Sequence, residues 1–457
     1  MKTQRTKWTL ALVGLAWLAA NNGVRAETAT DEKLQALDQK VRVLERKLEL
    51  AEESTAAKAK EAAILTAGPG GFSLSSGDKA FALRLRGFTQ ADSRFFIDDD
   101  DDRLNDTFLI RRARIILDAQ LGRYFAARIA PDFGGGQTQL QDAYVDFKGG
   151  DRFNLRVGRT KVPLGLERLQ SSTERLFSET ALVTALTPNR DEGVLAYGSL
   201  AKGVLEYQFG VFNGGADGAS IDSDSNDDFD LAGRFWLSPF KQSDSAALNG
   251  LSIGIAGSVG KQSGTTNATG LASYRSSGQA TFFSYRTSSS NSADTAVANG
   301  DRARIAPQFY YAGGPVSLLG EYIISEQEVS NGKGAAKLQH EAWQLAASWV
   351  LTGETPTLRG VNPAKPFDAS KGQWGAFELK ARIGELNIDD EAFSGGYAQS
   401  SRSAKSAEAV GFGLNWYLTR NARFSLDYEQ TSFDGGGANN ADRPEEKVVI
   451  ARAQLAF

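Results

Sequence analysis

Hydrophobic and polar side chains alternate residue by residue through long stretches of the chain. In the final segment, Val449, Ala451 and Leu455 share one face, while Arg452 and Gln454 lie on the other. Successive side chains of a β-strand point to opposite faces of its sheet, so this alternation predicts strands. Each predicted strand has one apolar face and one face that carries charge.

Sixteen segments with this alternation follow one another between residues 80 and 457. Most contain ten to fourteen residues, whereas strands of soluble proteins usually have about five or six and tilted membrane strands need about 9–11. The predicted strands lie near 80–92, 107–120, 123–133, 139–148, 152–161, 191–200, 204–213, 228–238, 250–261, 301–312, 315–328, 339–352, 372–388, 406–418, 422–434 and 446–457.

The connections between these segments alternate in length. Tight turns are predicted at 121–122, 149–151, 201–203, 313–314 and 419–421, with longer polar loops near 93–106, 162–190, 214–227, 262–300, 389–405 and 435–445. Short turns on one side and long loops on the other are typical of outer-membrane barrels. Two long connections, 239–249 and 353–371, fall on the short-turn side and break the rule.

We therefore predict an all-β fold in which residues 80–457 form a 16-stranded antiparallel transmembrane β-barrel. Inside lipid every backbone N–H and C=O group needs a partner, and a closed barrel supplies all of them. The soluble alternatives are a large β-sandwich, which would normally have shorter strands and an outward charged face, and a propeller, whose blade-length repeat is not visible. The terminal aromatic Phe457 resembles the carboxy-terminal signature of bacterial outer-membrane proteins.

The first residues have a different character. Residues 1–26 combine a positive start, a short apolar run and Val24-Arg25-Ala26, which predicts a secretory signal peptide. Residues 27–66 form a periplasmic helical segment whose apolar seam predicts a short coiled coil, with a single solvated helix as the alternative. The seam residues are Leu34, Leu37, Val41, Leu44, Leu48 and Ala51. Residues 67–79 are a Gly-rich linker.

Composition excludes several classes of function. The chain has 0 cysteines and 1 histidine, His340, which excludes thiolate sites and multi-histidine zinc sites. A net charge of −4 gives no global basic field for nucleic acid. We expect no cofactor, no metal and no enzyme activity. An outer-membrane hydrolase is a distant alternative because it would depend on His340.

Arginine is frequent on the polar strand faces, which would line the lumen. The predicted ladder comprises Arg84, Arg86, Arg114, Arg128, Arg156, Arg234, Arg302, Arg304, Arg382 and Arg452. Arg111 falls out of phase, which indicates a rim position or a β-bulge. Arginine forms bidentate hydrogen bonds with oxyanions, but carboxylates on the same faces fit a mixed-charge pore equally well. The amphipathic loop 162–190 is a candidate to fold into the lumen.

The chain resembles the phosphate-selective porins O and P of Gram-negative outer membranes from about Phe81 to Phe457. The resemblance includes, among other short motifs, FLIRRAR at Phe108–Arg114, QDAY at Gln141–Tyr144, GLE at Gly165–Glu167, VFNG at Val211–Gly214, WVLTGE at Trp349–Glu354 and NWY at Asn415–Tyr417. It implies a trimeric porin with an inward-folded third loop. It also implies a constriction formed by Arg111, Arg112, Asp142, Arg168, Ser171 and Ser172.

The predicted function is passive diffusion of anions, phosphate or polyphosphate, through an arginine-lined pore in the bacterial outer membrane. The expected partners are small anions, outer-membrane lipid and lipopolysaccharide, and two further copies of the chain in a homotrimer. Two alternatives stay open. One is a general mixed-charge porin, and the other is an envelope tether that acts through the N-terminal coiled coil.

Overall fold

The computed structural model describes residues 31–55, 63–98, 104–220, 226–245 and 247–457. The chain forms two compact units, one of residues 1–64 with 75–79 and one of residues 65–74 with 80–457. The described part of the first unit contains helix α1, residues 31–55, as the seam predicts. The predicted signal peptide, 1–26, lies outside the described residues. No helix in the described ranges is both long and apolar enough to cross a membrane.

The second unit contains all sixteen predicted strands, joined as antiparallel neighbours. They are β3 (Phe81–Ile97), β4 (Thr107–Leu121), β5 (Phe125–Asp132), β6 (Gln139–Lys148), β7 (Asn154–Lys161), β8 (Arg190–Leu200), β9 (Leu205–Phe212), β10 (Asp230–Leu237), β11 (Leu251–Ser263), β14 (Val297–Gly313), β15 (Val316–Asn331), β16 (Gly334–Val350), β17 (Ala376–Asn387), β18 (Ala404–Tyr417), β19 (Ala422–Gly435) and β20 (Glu446–Ala456).

The barrel closes where the last strand meets the first. Strand β20 pairs with β3 from Lys447 opposite Ile97 to Ala456 opposite Phe88. Phe457 extends the seam through backbone hydrogen bonds with Gly87 of 2.9 and 3.0 Å. A side chain at Gly87 would meet the Phe457 ring at 2.8 Å, so glycine makes room for the terminal aromatic.

The burial pattern of the barrel is the reverse of that in a soluble protein. On β17, Leu379, Ala381 and Ile383 are exposed on the outer face, while Lys380 and Arg382 are buried on the inner face. An exposed apolar face is stable only against lipid, because water would be in contact with a large apolar surface. The alternation in the sequence therefore matches two different surroundings, lipid at the outer face of the barrel and a polar lumen at the inner face.

Three segments differ most from the sequence prediction, apart from β3, which continues to Ile97 instead of ending near residue 92. Residues assigned to the helical segment and the linker contain the strand pair β1 (Ile64–Gly68) and β2 (Gly71–Ser75), and β2 pairs with β3. Strands β15 and β16 continue beyond their predicted ends to a tight turn at 332–333, where the Asn331 side chain accepts hydrogen bonds from the backbone of Lys333 and Gly334. The third difference is in loop 262–300.

Loop 262–300 folds inward and forms a β-hairpin, whereas the sequence analysis predicted a polar outer loop. Its strands, β12 (Ser273–Arg275) and β13 (Thr281–Ser284), pair with each other. The aromatic residues Tyr274, Phe282, Phe283 and Tyr285 are buried in one hydrophobic cluster with inner-wall residues. The Tyr285 hydroxyl lies 2.7 Å from Nε2 of His340, whose Nδ1 accepts a hydrogen bond from the Asp389 backbone. The single histidine thus packs within this cluster.

Candidate pore constriction

The loop between β7 and β8, residues 162–189, crosses the barrel lumen and is named L3 here. It contains the short helix α2 (Leu166–Leu169) and a 3-10 helix at Leu182–Leu186. Its backbone is held by inward-facing side chains of the wall: Glu321 accepts the Leu166 N–H at 2.7 Å, and Asp427 accepts the Ser178 N–H at 2.9 Å. The predicted inward fold of this loop is therefore present.

Apolar residues explain why L3 leaves the surface. Leu164, Leu182, Val183 and Leu186 are all buried in the same cluster as the aromatic hairpin. An external loop with these residues would expose a sizeable apolar surface to water. The polar backbone of L3 is satisfied by wall side chains, among them Lys380, which donates to the Leu176 carbonyl at 2.8 Å.

Exposure shows where water can enter beside L3. The inward-facing charges of β17 to β20, such as Arg382 and Arg452, are buried beneath the loop. In contrast, Arg112, Arg128 and Arg156 on β4, β5 and β7 are only partly buried. The open part of the lumen therefore follows β4 to β7, and one wall of this passage is formed by L3.

Arg111 occupies a β-bulge, as its position out of phase indicates. The register of β3 against β4 shifts there, with Gln90 opposite Arg112 and Ala91 opposite Ile110. The Arg111 side chain binds Glu179 of L3 through Nε at 2.7 Å. The bulge therefore lets two consecutive arginines serve the lumen, and Arg111 anchors the loop.

Arg112 meets L3 through a glutamine. Its Nη1 donates to Oε1 of Gln90 at 2.9 Å, and Nε2 of the same amide donates to the Ser172 carbonyl at 3.0 Å. The Ser172 hydroxyl is buried and makes no hydrogen bond with any described residue. Ser171 faces its own loop instead, with its hydroxyl 2.9 Å from that of Thr173. Arg112 and Ser172 are therefore brought together, whereas Ser171 is not.

Arg168 and Asp142 bind different partners. Arg168 on α2 donates to the Thr187 hydroxyl at 3.1 Å and to the Thr184 carbonyl, so its partners are neutral. Asp142 on β6 accepts a hydrogen bond from Arg190 at 2.7 Å. Lys161, at the end of β7, donates to the carbonyls of Arg168 and Gln170 at 2.8 and 2.6 Å.

Arg175 of L3 is a residue that the sequence analysis did not single out. Its Nε and Nη1 are buried and have no hydrogen-bond partner among the described residues. Burial, opposed by the attraction of Glu167 and assisted by the repulsion of Arg168, lowers the pKa of the Arg175 guanidinium to about 9. Burial likewise lowers the pKa of Arg168 to about 10. Both guanidiniums lie in L3, outside the spanning strands, and both are poorly solvated cations.

Four cations in or beside L3 thus have no carboxylate within ion-pair distance in the described part of the chain. This cationic cluster consists of Arg112, Lys161, Arg168 and Arg175. Arg175 interacts electrostatically with the other three across L3. Such a set of donors can bind an oxyanion by charge-assisted hydrogen bonds.

Comparison with known proteins identifies the family. The profile of the family described as phosphate-selective porin O and P matches residues 81–457. The chain belongs to this porin family. A search of curated proteins finds no match.

Solved outer-membrane channels share the porin fold at low sequence identity. The channel DcaP of Acinetobacter baumannii aligns with a TM-score of 0.52 and 12% identity, over 83% of this porin and 98% of DcaP. OmpT of Vibrio cholerae aligns with a TM-score of 0.51 and 10% identity, over 83% and 98%. Salmonella typhi OmpF aligns with a TM-score of 0.50 and 12% identity, over 86% and 100%. Family and fold together show an outer-membrane porin.

The predicted arginine ladder of the porin is largely neutralised. Eight of its ten members have a carboxylate oxygen at 2.6–2.8 Å. The pairs are Arg86–Asp118, Arg114–Asp132, Arg128–Asp118, Arg156–Asp146, Arg302–Asp230, Arg304–Asp217, Arg382–Glu429 and Arg452–Asp92. Arg234 donates to Gln308 and stacks on Trp236, and Arg84 is exposed. Arg84, Arg234 and the buried Arg423 therefore join the four cluster cations in having no carboxylate within ion-pair distance among the described residues.

Proposed function

We propose that this porin conducts small oxyanions, phosphate or polyphosphate, past the cationic cluster by passive diffusion. The observation that carries the proposal is the set of four cations, Arg112, Lys161, Arg168 and Arg175, whose described partners are neutral or missing. A cation that already has a carboxylate partner attracts a passing anion only weakly, because the two opposite charges largely cancel. A partly desolvated cation that has no carboxylate partner attracts the anion much more strongly, because water screens the attraction less.

The geometry of the donors favours oxyanions over chloride. Guanidinium groups present N–H donors in a planar fork that matches two oxygens of a phosphate or carboxylate. Arg112 lies on β4 and Arg175 lies in L3, so the two guanidiniums come from different segments, and they interact electrostatically. An oxyanion between them would exchange part of its hydration shell for charge-assisted hydrogen bonds.

Conduction also requires that the anion leave. Asp142 and Glu179 lie close to the cluster and already bind Arg190 and Arg111, so their negative charge limits the depth of the anion site. Sites of moderate strength in series permit passage from one to the next. We infer that these carboxylates keep the attraction from becoming a trap.

A general mixed-charge porin is the second candidate, and the eight neutralised ladder arginines favour it. A lumen wall lined with charges of both signs produces an electrostatic field without binding an anion. In this alternative the four cluster cations would contribute to the field only by their number. An envelope tether, in which α1 is the working part, would need no conducting pore at all.

We also propose that the porin is a homotrimer embedded in outer-membrane lipid and lipopolysaccharide. The family resemblance supports the trimer, and the exposed apolar outer face of the barrel supports the contact with lipid. Each barrel would then carry its own passage.

The test compares two arginine variants in planar bilayers. The double variant Arg112→Gln with Arg175→Gln should shift the reversal potential in a KCl gradient toward cations. Phosphate should then block the chloride current about tenfold less strongly, because a hydrogen bond to a charged group contributes about 1.5–3 kcal/mol. The matched control is Arg84→Gln, which removes the same charge from an exposed position near the short-turn end of β3.

The outcomes separate the candidates. Anion conduction predicts a large effect of the double variant and little effect of Arg84→Gln. A mixed-charge porin predicts that both variants shift the reversal potential by a similar small amount for each charge removed. It also predicts that phosphate blocks the chloride current as strongly as in the wild type. An absence of single-channel current from the folded wild-type protein would leave the tether as the better description.

A further inference from the structure

Helix α1 presents an apolar stripe that nothing in the described chain covers. Its seam residues Leu34, Leu37, Val41, Leu44 and Leu48 are 45–63% exposed. They follow one another in steps of three and four residues, which keeps them on one face of a helix. An apolar face of this kind on a water-exposed helix can pack against the apolar face of another helix.

The charges beside the seam follow a strict order. If Leu34 occupies heptad position a, Leu37 occupies d, and the flanking g and e positions are fixed by the sequence. Every g position along the seam is lysine and every following e position is acidic. The g residues are Lys33, Lys40 and Lys47, and the e residues are Asp38, Glu45 and Glu52.

We propose that α1 binds the α1 helices of other copies of this chain in a parallel, in-register coiled coil. In parallel helices in register, each g residue faces the e residue five positions later on the neighbouring helix. This places Lys33 opposite Asp38, Lys40 opposite Glu45 and Lys47 opposite Glu52 of the next copy. Antiparallel helices would instead bring g against g and e against e, so lysine would face lysine. Charges at e and g set partner choice and orientation in this way.

The ion pairs within one helix leave the lysines available. The ion pairs of α1 in the described chain are Arg42–Asp38 at 2.9 Å and Arg46–Glu49 at 2.9 Å. Both are highly exposed, and exposed pairs contribute little to stability, about 0–1 kcal/mol. Asp38 can therefore exchange its partner for Lys33 of a neighbouring copy at small cost.

The length of α1 sets the strength of this interface. Its 25 residues give a seam of under three heptads, which is too short for tight association of free helices. Copies that are already side by side in a membrane assembly have a high effective concentration, so the same seam suffices. Chains with one orientation in the membrane also bring their helices together in parallel order. The number of strands in the coiled coil would follow the number of barrels.

Single cysteines in the full-length porin test the seam, because the native chain has 0 cysteines. Leu44→Cys lies at d and should form a disulfide-linked dimer when outer membranes are oxidised. The matched control Arg46→Cys lies two residues away at f, on the outer side of the helix, and should not cross-link. Equal cross-linking of both variants, or none in Leu44→Cys while the barrels remain oligomeric, would overturn the proposal.

Charge reversal tests the parallel register in the Leu44→Cys background. Replacing Lys40 and Lys47 with glutamate should lower the yield of the cross-link, because acidic g residues would then face acidic e residues. Adding Glu45→Lys and Glu52→Lys should restore it, since each pair is again opposite in charge. Two results would rule out the parallel g-to-e pairing. One is an unchanged cross-link after the lysine-to-glutamate exchange, and the other is no recovery of the cross-link after the glutamate-to-lysine exchange. Channel conductance is a separate readout and should stay unchanged in all these variants.

Discussion

A single carboxylate, Glu179, connects L3 with the barrel wall. It accepts hydrogen bonds from Arg94 at 2.7 Å, Arg111 at 2.7 Å and Arg452 at 3.0 Å, and it is almost completely buried. Burial raises the pKa of Glu179, but the attraction of Arg111 and Arg452 outweighs it and holds the pKa well below the usual range. The carboxylate is thus ionised and balances three guanidiniums.

Replacing this carboxylate should both loosen L3 and strengthen the anion preference. In Glu179→Gln three guanidiniums lose a shared counter-charge, and breaking a buried ion pair costs about 3–5 kcal/mol. We expect a lower thermal unfolding temperature of the barrel, noisier open-channel current and a reversal potential shifted toward anions. The matched control is Glu174→Gln on the same loop, whose carboxylate contacts the Ser171 N–H at 3.4 Å. Equal effects of the two variants would contradict this role.

Residue-level predictability depends on how local the signal is. The break in alternation at Arg111 was enough to predict either a rim position or a bulge, because alternation is a property of one strand, and the register of β3 against β4 shows the bulge. Arg175 and Lys161 could not be selected in the same way. Their proposed role comes from the absence of a carboxylate partner among the described residues, and this depends on contacts between L3 and distant strands such as β3 and β19.

At the scale of elements, the lumen is narrowed by two inserted segments rather than one. The tip of the hairpin β12–β13 reaches the wall and L3: Ser276 donates to Glu446 at 2.7 Å, and Gln279 lies 3.4 Å from Glu179. Aromatic residues on both arms of the hairpin are buried against L3 residues such as Leu182. The hairpin therefore supports L3 from the long-loop side of the barrel.

Removal of the hairpin should widen the pore without changing its preference for anions. Deleting residues 272–285 opens the volume above L3, while Arg112 and Lys161 stay in place on their strands. We expect a higher single-channel conductance and a reversal potential close to that of the wild type. A deletion of residues 437–441, in a mostly exposed turn at the same end, is the control and should leave conductance unchanged. Unchanged conductance in the hairpin deletion would mean that the hairpin does not restrict the passage.

The hairpin was missed because loop 262–300 is rich in Ser, Thr, Asn and Gly, which is typical of an outer loop. One signal could have found it. Four aromatic residues, Tyr274, Phe282, Phe283 and Tyr285, fall within this otherwise polar segment, and a solvated loop has no use for them. In L3 the aliphatic residues within a polar loop made the segment amphipathic, and on that basis its inward fold was predicted.

For the whole molecule, the two-solvent pattern made the fold predictable. Each strand has to satisfy lipid on one face and water or charge on the other, so alternation is the general pattern of the barrel strands, which contain 8 to 17 residues. Strand ends were less certain because the apolar outer face of β15 and β16 stops before their long-loop ends. There, outward positions such as Lys337 and Glu326 are charged and pair with each other. The pore chemistry was least predictable because it depends on which charges remain unpaired after folding.

The lipid-facing assignment makes a quantitative prediction for β16. The apolar outer band of this strand runs from Trp343 through Leu345 to Trp349, and Leu351 follows it in the turn. An arginine near the bilayer midplane destabilises a barrel by about 2–4 kcal/mol, falling to about 0–1 kcal/mol near the interface. Leu345→Arg should therefore lower the free energy of unfolding in lipid vesicles far more than Leu351→Arg, although the two leucines are similarly exposed, 43% and 47%. Denaturant titration of both variants measures the difference. Equal costs would mean that the outer face of β16 does not contact the hydrocarbon core at Leu345, and a soluble β-structure would then have to be reconsidered.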